Sequence, residues 1–442
     1  MAHRGGVAEV WLWGARIGAV SWDPEQQLGA FEYTPDFQRS GIQLAPLTMP
    51  LGPRIYEFPG LSRDSFHGLP GLLADALPDR FGNRLIDSWL VRSGRAAADF
   101  SPVDRLLYIG TRAMGALEFH PAHGKGEGSV PVDLAELVAL ANEVLVQRRK
   151  FRASMGVDGD ERQEAMNSIL QVGVSAGGAR AKAIIAWNPE TDEVRSGQVR
   201  APDGFGYWLL KFDGVKENRD RETLADPQGF GLIEYAYSLM AGAAGIDMSE
   251  CRLLHEGGRH HFMSRRFDRT SGGGKVQMQT LCAMAHLDFN QAGAHSYEQA
   301  LQVIQRLGLG KQALEQQLRR AAFNVGARNQ DDHTKNIAFL MDRKGGWTLS
   351  PAYDITLAYN PEGQWTNRHQ MSLNGKREGI TRDDLLALSN RFRITRPRAE
   401  ALLDEVAHAV SRWPEFAERA GVDSEQISTI SAVHRDLGRA GR

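Results

Sequence analysis

The chain has 442 residues, of which 42% are hydrophobic and 24% charged, with a formal net charge of −2 at pH 7. That length suits two or three domains of about 150 residues, the composition excludes collagen-like and disordered classes, and the near balance of charge gives no overall attraction to a phosphate backbone. No apolar run approaches the ~18 residues of a membrane span, the first six residues carry no apolar leader, and Cys251 and Cys282 lack CxxC spacing, so a cytoplasmic protein with no membrane contact, disulfide framework or thiol zinc cage is expected.

Apolar and polar residues alternate at 10–13 and 29–33, broken by glycine and proline, which predicts short strands. Phe66 to Pro70 leads into Leu72, Leu73 and Ala76 and then Leu85, Ile86, Trp89 and Leu90, a helical spacing that would cover this sheet. The runs 106–109 and 116–119 read as further strands and complete a β-rich unit over 1–120. The glycine-rich stretch 121–130 has no apolar periodicity and is the candidate linker. Beyond it, Leu134, Leu137, Val138, Ala141 and Leu145 mark one helix face, and the polar stretch 152–163 reads as a loop. Strand-like runs at 169–174, 183–187 and 207–212 fill a second unit, 131–229. From Phe230 the character turns helical, clearest at 301–307, 314–325 and 402–410, with Thr395 before Pro397 suiting a helix start, and this third unit spans 230–442.

The strongest chemical signal is Arg328-Asn329-Gln330-Asp331-Asp332-His333-Thr334-Lys335-Asn336, followed by Ser350-Pro351-Ala352-Tyr353-Asp354. Asp331 and Asn336 have the separation that in kinase catalytic loops lets an aspartate accept a substrate hydroxyl proton while an asparagine holds magnesium. Two apolar runs flank Asp342-Arg343-Lys344-Gly345-Gly346, a predicted hairpin turn. That hairpin would return the chain to its start and set Asp354 beside Asn336, as two oxygen ligands of a hard cation require. A polar surface loop after a helix is the plainer reading.

Three further features carry alternatives. Ser175-Ala176-Gly177-Gly178-Ala179-Arg180-Ala181-Lys182, between strand-like runs, offers amides and cations to phosphates or merely turns the chain. Lys211 stands alone in an apolar strand, as the lysine of the kinase motif V-A-I-K does, and Glu234 on the following helix is its candidate ion-pair partner; an exposed edge-strand lysine is the alternative. Gly173-Val174-Ser175-Ala176-Gly177 matches the G-x-S-x-G elbow of serine hydrolases, but that elbow must run from strand into helix, whereas a second strand is predicted here.

Taken together, these residues resemble the HipA family of serine/threonine kinase toxins of bacterial toxin–antitoxin systems, and Phe66-His67-Gly68-Leu69-Pro70 and Arg266-Phe267-Asp268-Arg269 add to the likeness. The resemblance implies an α+β, two-lobed, protein-kinase-like fold, with a small N-terminal β-rich subdomain and a mainly helical C-terminal lobe. It implies ATP and Mg²⁺ as cofactors, with Asp331 as general base, Asn336 and Asp354 on magnesium, and Lys211 on the ATP phosphates. Gly177, Gly178, Ala179, Arg180, Ala181 and Lys182 would cover the nucleotide, Arg265, Arg266 and Phe267 would form the hinge at adenine, His333 and Lys335 would line the phosphate site, and Tyr353 would also bind the cofactor. Ser175 matches the family's autophosphorylated serine. The implied partners are a protein substrate, with aminoacyl-tRNA synthetases the expected class, and a HipB-like helix-turn-helix antitoxin, with DNA reached only through it. A catalytically silent scaffold that sequesters such a partner is the competing reading. Two positions depart from the family pattern, Arg265 in place of Glu and Asp332 in place of Gly.

Overall fold

The computed structural model of the chain describes residues 6–78, 82–83, 86–87, 90, 100–121, 181–214 and 229–438. The expected linker beyond Pro121, the helix at 134–145, the loop at 152–163, the strand at 169–174 and residues 175–180 lie outside the described residues, as do Leu85 and Trp89.

The N-terminal unit is an antiparallel sheet of β1 (Val7–Leu12), β2 (Ala15–Asp23), β3 (Leu28–Tyr33), β4 (Ile55–Tyr56) and β5 (Leu117–His120), in the order β4-β3-β2-β1-β5. On β1 the alternation places Ala8, Val10 and Leu12 in the core. They meet helix α1 (Pro102–Ile109), where a strand is predicted for the apolar run 106–109. The correction has a local cause. Ser101 Oγ accepts the Asp104 N–H at 3.1 Å while an Asp104 carboxylate oxygen accepts the Ser101 N–H at 2.9 Å, and Pro102 occupies the first turn. A reciprocal cap with proline at the start nucleates a helix whatever the apolarity of the residues that follow.

A second antiparallel sheet contains β6 (Lys182–Trp187), β7 (Val194–Ser196), β8 (Gly206–Lys211), β9 (Cys251–Glu256) and β10 (Arg259–Arg265), in the order β7-β6-β8-β10-β9. β6 and β8 follow the sequence reading. β9 and β10 do not, since helix is expected after Phe230. Gly257 and Gly258, both at positive φ (51° and 77°), form the two-residue turn that joins them, and the pair adds to the exposed edge of β8. Between β8 and β9 the helix α2 (Phe230–Ala243) lies on β10. Gly231 permits that approach: a Cβ there would sit 2.1 Å from the His260 carbonyl oxygen.

The third sheet, β11 (Gln277–Thr280), β12 (Ala338–Met341) and β13 (Trp347–Leu349), includes the predicted hairpin. An Asp342 carboxylate oxygen caps its turn by accepting from the amides of Lys344 and Gly346 at 2.8 and 2.9 Å. The same lobe contains α3 (Leu281–Ala285), α4 (Tyr297–Arg306), α5 (Gly310–Gly326), α6 (Arg382–Arg391), α7 (Arg396–Ser411), α8 (Trp413–Ala420) and α9 (Ser424–Val433), and is mainly helical as expected. Thr395 precedes α7, with Pro397 in its first turn. Both cysteines are free thiols, Cys282 buried and Cys251 half-buried. Among the described residues no helix is long and apolar enough to cross a membrane.

Candidate active site

In the antiparallel register of β6 and β8, Lys182 stands directly opposite Lys211. Both are buried, and two like charges across a strand pair destabilise it unless acids compensate them. The compensation comes from two directions. Lys211 Nζ donates to Glu234 Oε1, from the first half of α2, and to Asp354 Oδ1 at 2.5 Å. Glu234 is fully inaccessible, and Phe262, opposite Lys211 on β10, places its ring 5.7 Å from Nζ. The Lys211–Glu234 pair is therefore present, and the exposed edge-strand alternative for Lys211 is not.

Asp354 reaches this position because the chain after β13 docks on the segment that follows α2: the Ser249 N–H donates to the Ala352 carbonyl and the Ala352 N–H to the Asp247 carbonyl, at 3.1 and 2.7 Å. Its φ is +52°, a left-handed conformation that aspartate tolerates better than most residues. Burial pushes the Asp354 carboxyl up, but the charges of Lys211 and Lys182, with His333 a weaker contributor, outweigh it and hold the group below the ordinary carboxylate range.

The loop that follows α5 supplies the opposite wall. Asn329, Asp332, His333, Asn336, Tyr353 and Asp354 line one cleft. The Tyr353 hydroxyl donates to the Lys335 carbonyl at 2.5 Å, which ties the Asp354 segment to the 3₁₀ turn Thr334–Asn336. Asn336 Nδ2 donates to the Asp331 carbonyl at 2.9 Å, so its carboxamide oxygen faces the other way. A carboxylate and a carboxamide oxygen on one cleft suit a hard divalent cation that also binds phosphates. Among the described residues no group of three or more His, Cys, Asp or Glu side chains gathers as a metal site, so phosphate and water oxygens would have to complete the coordination.

Asp331 is about one-third exposed (34%), with His333 Nε2 3.8 Å from Oδ1 and the indole Nε1 of Trp365 donating to Oδ1 at 2.6 Å. Its neighbour Asp332 turns inward, where Oδ2 accepts from the Tyr297 hydroxyl at 2.6 Å and lies 2.8 Å from His369 Nδ1, while Oδ1 accepts the Gln370 N–H at 2.7 Å. Burial acts to raise the Asp332 carboxyl, and the His369 charge with these hydrogen bonds more than reverses it, leaving the group lowered. The departure at 332 is thus a buried anchor, engaged with three partners of its own.

The residues expected at an adenine hinge divide. The Arg265 guanidinium pairs with Glu250 at 2.8 Å on the surface. Arg266 is committed elsewhere: its Nε and Nη2 donate to the two carboxylate oxygens of buried Asp268 at 2.8 and 2.7 Å, and its N–H donates to the Tyr207 carbonyl at 2.9 Å. The Phe267 ring lies 5.5 Å from that of Tyr353. Lys335 Nζ sits 4.6 Å over the Phe289 ring. Of the glycine-rich loop, Ala181 and Lys182 are described and both are buried; Ser175, Gly177, Gly178, Ala179 and Arg180 lie outside the described residues. Trp365, Tyr297 and His369, which reach the loop from 34 to 37 residues away, carry no local motif that the sequence could show.

Residues 8–120 match the family described as HipA N-terminal domain, and residues 174–413 the family described as HipA-like C-terminal domain. Among solved structures the chain superposes on one from the Shewanella oneidensis MR-1 toxin–antitoxin complex of HipA, HipB and operator DNA. That match has a TM-score of 0.65 and 19% identity, over 96% of this chain and 94% of the other, and it shows a shared two-lobed α+β fold. A much weaker likeness, with a TM-score of 0.31 and 12% identity over 51% of this chain and 90% of the other, links it to the Helicobacter pylori proinflammatory kinase CtkA. No curated protein matches the chain.

Proposed function

Because the chain belongs to the HipA family, we propose that it is a toxin of the serine/threonine protein kinase type, transferring the γ-phosphoryl group of ATP to a protein hydroxyl. The observation that carries this reading is the bridge from buried Lys211 to both buried Glu234 and half-buried Asp354, the last of which lines one cleft with Asn336, Asp332 and His333. A lysine held on a strand by a helix glutamate, beside an aspartate after a hairpin, is the arrangement that orders a kinase site.

In this mechanism Lys211 leaves Asp354 when ATP enters and turns to its phosphates, while Glu234 keeps the ammonium in place. Lys182, opposite it, adds a second cation where negative charge grows. Asp354 and the Asn336 carboxamide would hold Mg²⁺, which when bound offsets charge between the phosphates. Asp331 orients the substrate hydroxyl and takes its proton as the bond from that oxygen to the γ-phosphorus forms and the bond to the bridging oxygen breaks, releasing ADP. The hinge contributes backbone groups near Phe267, since the Arg266 side chain is held by Asp268.

Autophosphorylation at Ser175 would add about −1.5 to −2 charges to the loop next to β6 and repel it from a site built for phosphates, a self-limiting switch. A HipB-like helix-turn-helix antitoxin is the partner this reading implies, with DNA reached through it, and the Shewanella oneidensis structure is a complex of HipA with HipB and operator DNA; a translation component such as an aminoacyl-tRNA synthetase is the expected substrate class. The test is transfer of label from γ-³²P ATP with magnesium. Wild-type protein should label itself or a substrate, and Asp331→Asn should lose at least about 100-fold in rate with its thermal midpoint unchanged. Full activity in that variant, or no transfer by the wild type, rejects the assignment.

A further inference from the structure

The loop that follows α5 carries a contact that the kinase reading leaves unused, the 2.6 Å hydrogen bond from Trp365 Nε1 to Asp331 Oδ1. Trp365 belongs to the segment 356–370 beyond the candidate metal ligand Asp354, and that segment is fastened to the catalytic loop along its length. The Gln330 N–H donates to the Ala358 carbonyl and the Ala358 N–H to the Arg328 carbonyl, at 2.9 and 3.1 Å. At the far end the Gln370 N–H donates to Asp332 Oδ1 at 2.7 Å. The Gln370 carboxamide also donates to the carbonyl of Trp365 itself and, at 3.3 Å, to that of Gln330. The indole is therefore delivered from a backbone held to the loop it touches.

A carboxylate turns about a broad, weakly restrained torsion. The Asp331 side chain is one-third exposed, and His333 Nε2, at 3.8 Å, stands beyond hydrogen-bond distance. Asp332 supplies the anchor: it takes Tyr297, His369 and Gln370, and so fixes the strap that carries Trp365 against its neighbour. An N–H to a carboxylate is a short, charge-assisted and directional bond, able to set the plane of the acceptor.

We propose that Trp365 is a positioning residue, whose indole N–H holds the Asp331 carboxylate in the orientation that receives the substrate hydroxyl proton. The proposal rests on Asp331 being the general base. Trp365→Phe keeps the ring and removes the donor. Misorientation of a reacting group costs up to about 100-fold, so kcat should fall roughly 10- to 100-fold while KM for ATP and the thermal midpoint stay within about 2-fold and about 2 °C of wild type. In a double-mutant cycle Trp365→Phe should cost little further in the Asp331→Asn background. An unchanged or raised kcat in Trp365→Phe, or an equal loss in both backgrounds, overturns the proposal. A second readout is independent of turnover: in ¹⁵N-tryptophan-labelled protein, the indole signal missing from Trp365→Phe should move in Asp331→Asn, and a signal that stays in place overturns the contact. Wild-type protein without phosphoryl transfer would reject the kinase reading and the catalytic role with it, and the indole signal would still decide the contact.

Discussion

Asp268→Asn tests the interior electrostatics of the fold. Asp268 is fully inaccessible and accepts four hydrogen bonds: two from Arg266 at 2.8 and 2.7 Å, one from Arg269 Nη1 at 2.7 Å and one from the Gly115 N–H at 2.8 Å. The two guanidiniums are almost as deeply buried, with side chains 1% and 3% exposed. Burial would raise the Asp268 carboxyl, but Arg266 and Arg269 hold it far below the ordinary carboxylate range, and burial with the neighbouring Arg266 lowers Arg269 to about 10. Asparagine removes the one negative charge between two buried cations and turns an NH₂ toward donors. Breaking a buried pair in this way costs about 3–5 kcal/mol, read as the loss of unfolding free energy in urea at pH 7. Arg269 also donates to the carbonyls of Gly115 and Ala113, at 2.9 and 3.1 Å, so the damage should centre on 113–116 and hydrogen exchange at the Gly115 amide should quicken first. The pH dependence has a definite sign. A carboxyl whose folded pKa is depressed contributes stability that is fully present above its unfolded value of ~3.9 and is lost as pH falls through the folded one, so the variant's stability should decline less steeply than wild type below about pH 4. A loss under about 1 kcal/mol at pH 7, with an acid limb as steep as wild type, would refute the reasoning.

Two other outcomes follow from the same structure. Gly231→Ala places a Cβ 2.1 Å from the His260 carbonyl oxygen, so α2 must move off β10 and carry Glu234 with it; a loss of about 1–3 kcal/mol should come with a raised KM for ATP, and a variant with both values unchanged contradicts the role given to that helix. Ser175→Ala should retain ATP binding and lose loop phosphorylation, and phosphopeptide mapping that finds another residue modified with Ser175 untouched would remove the switch.

What the amino-acid pattern determined here is local. The Asp342 turn and its flanking strands, the apolar stripes of α4, α5 and α7, and the Lys211 to Glu234 spacing each depend on residues close in sequence or on one strand and the next helix, so their signals survive without the fold. The helix at Pro102–Ile109 is equally local, written in the capping box of Ser101, Pro102 and Asp104, while the apolarity of 106–109 alone points to a strand. Tertiary structure alone decided the rest. The edge of β8 recruited β9 and β10 from beyond the expected helix boundary, burial paired the Arg266 side chain with Asp268 rather than leaving it for the expected hinge, and a strap fastened by Asp332 and Gln370 brought Trp365 to Asp331. A buried charge or an unpaired strand edge takes whichever partner the packing brings near, and that choice is made by the whole chain.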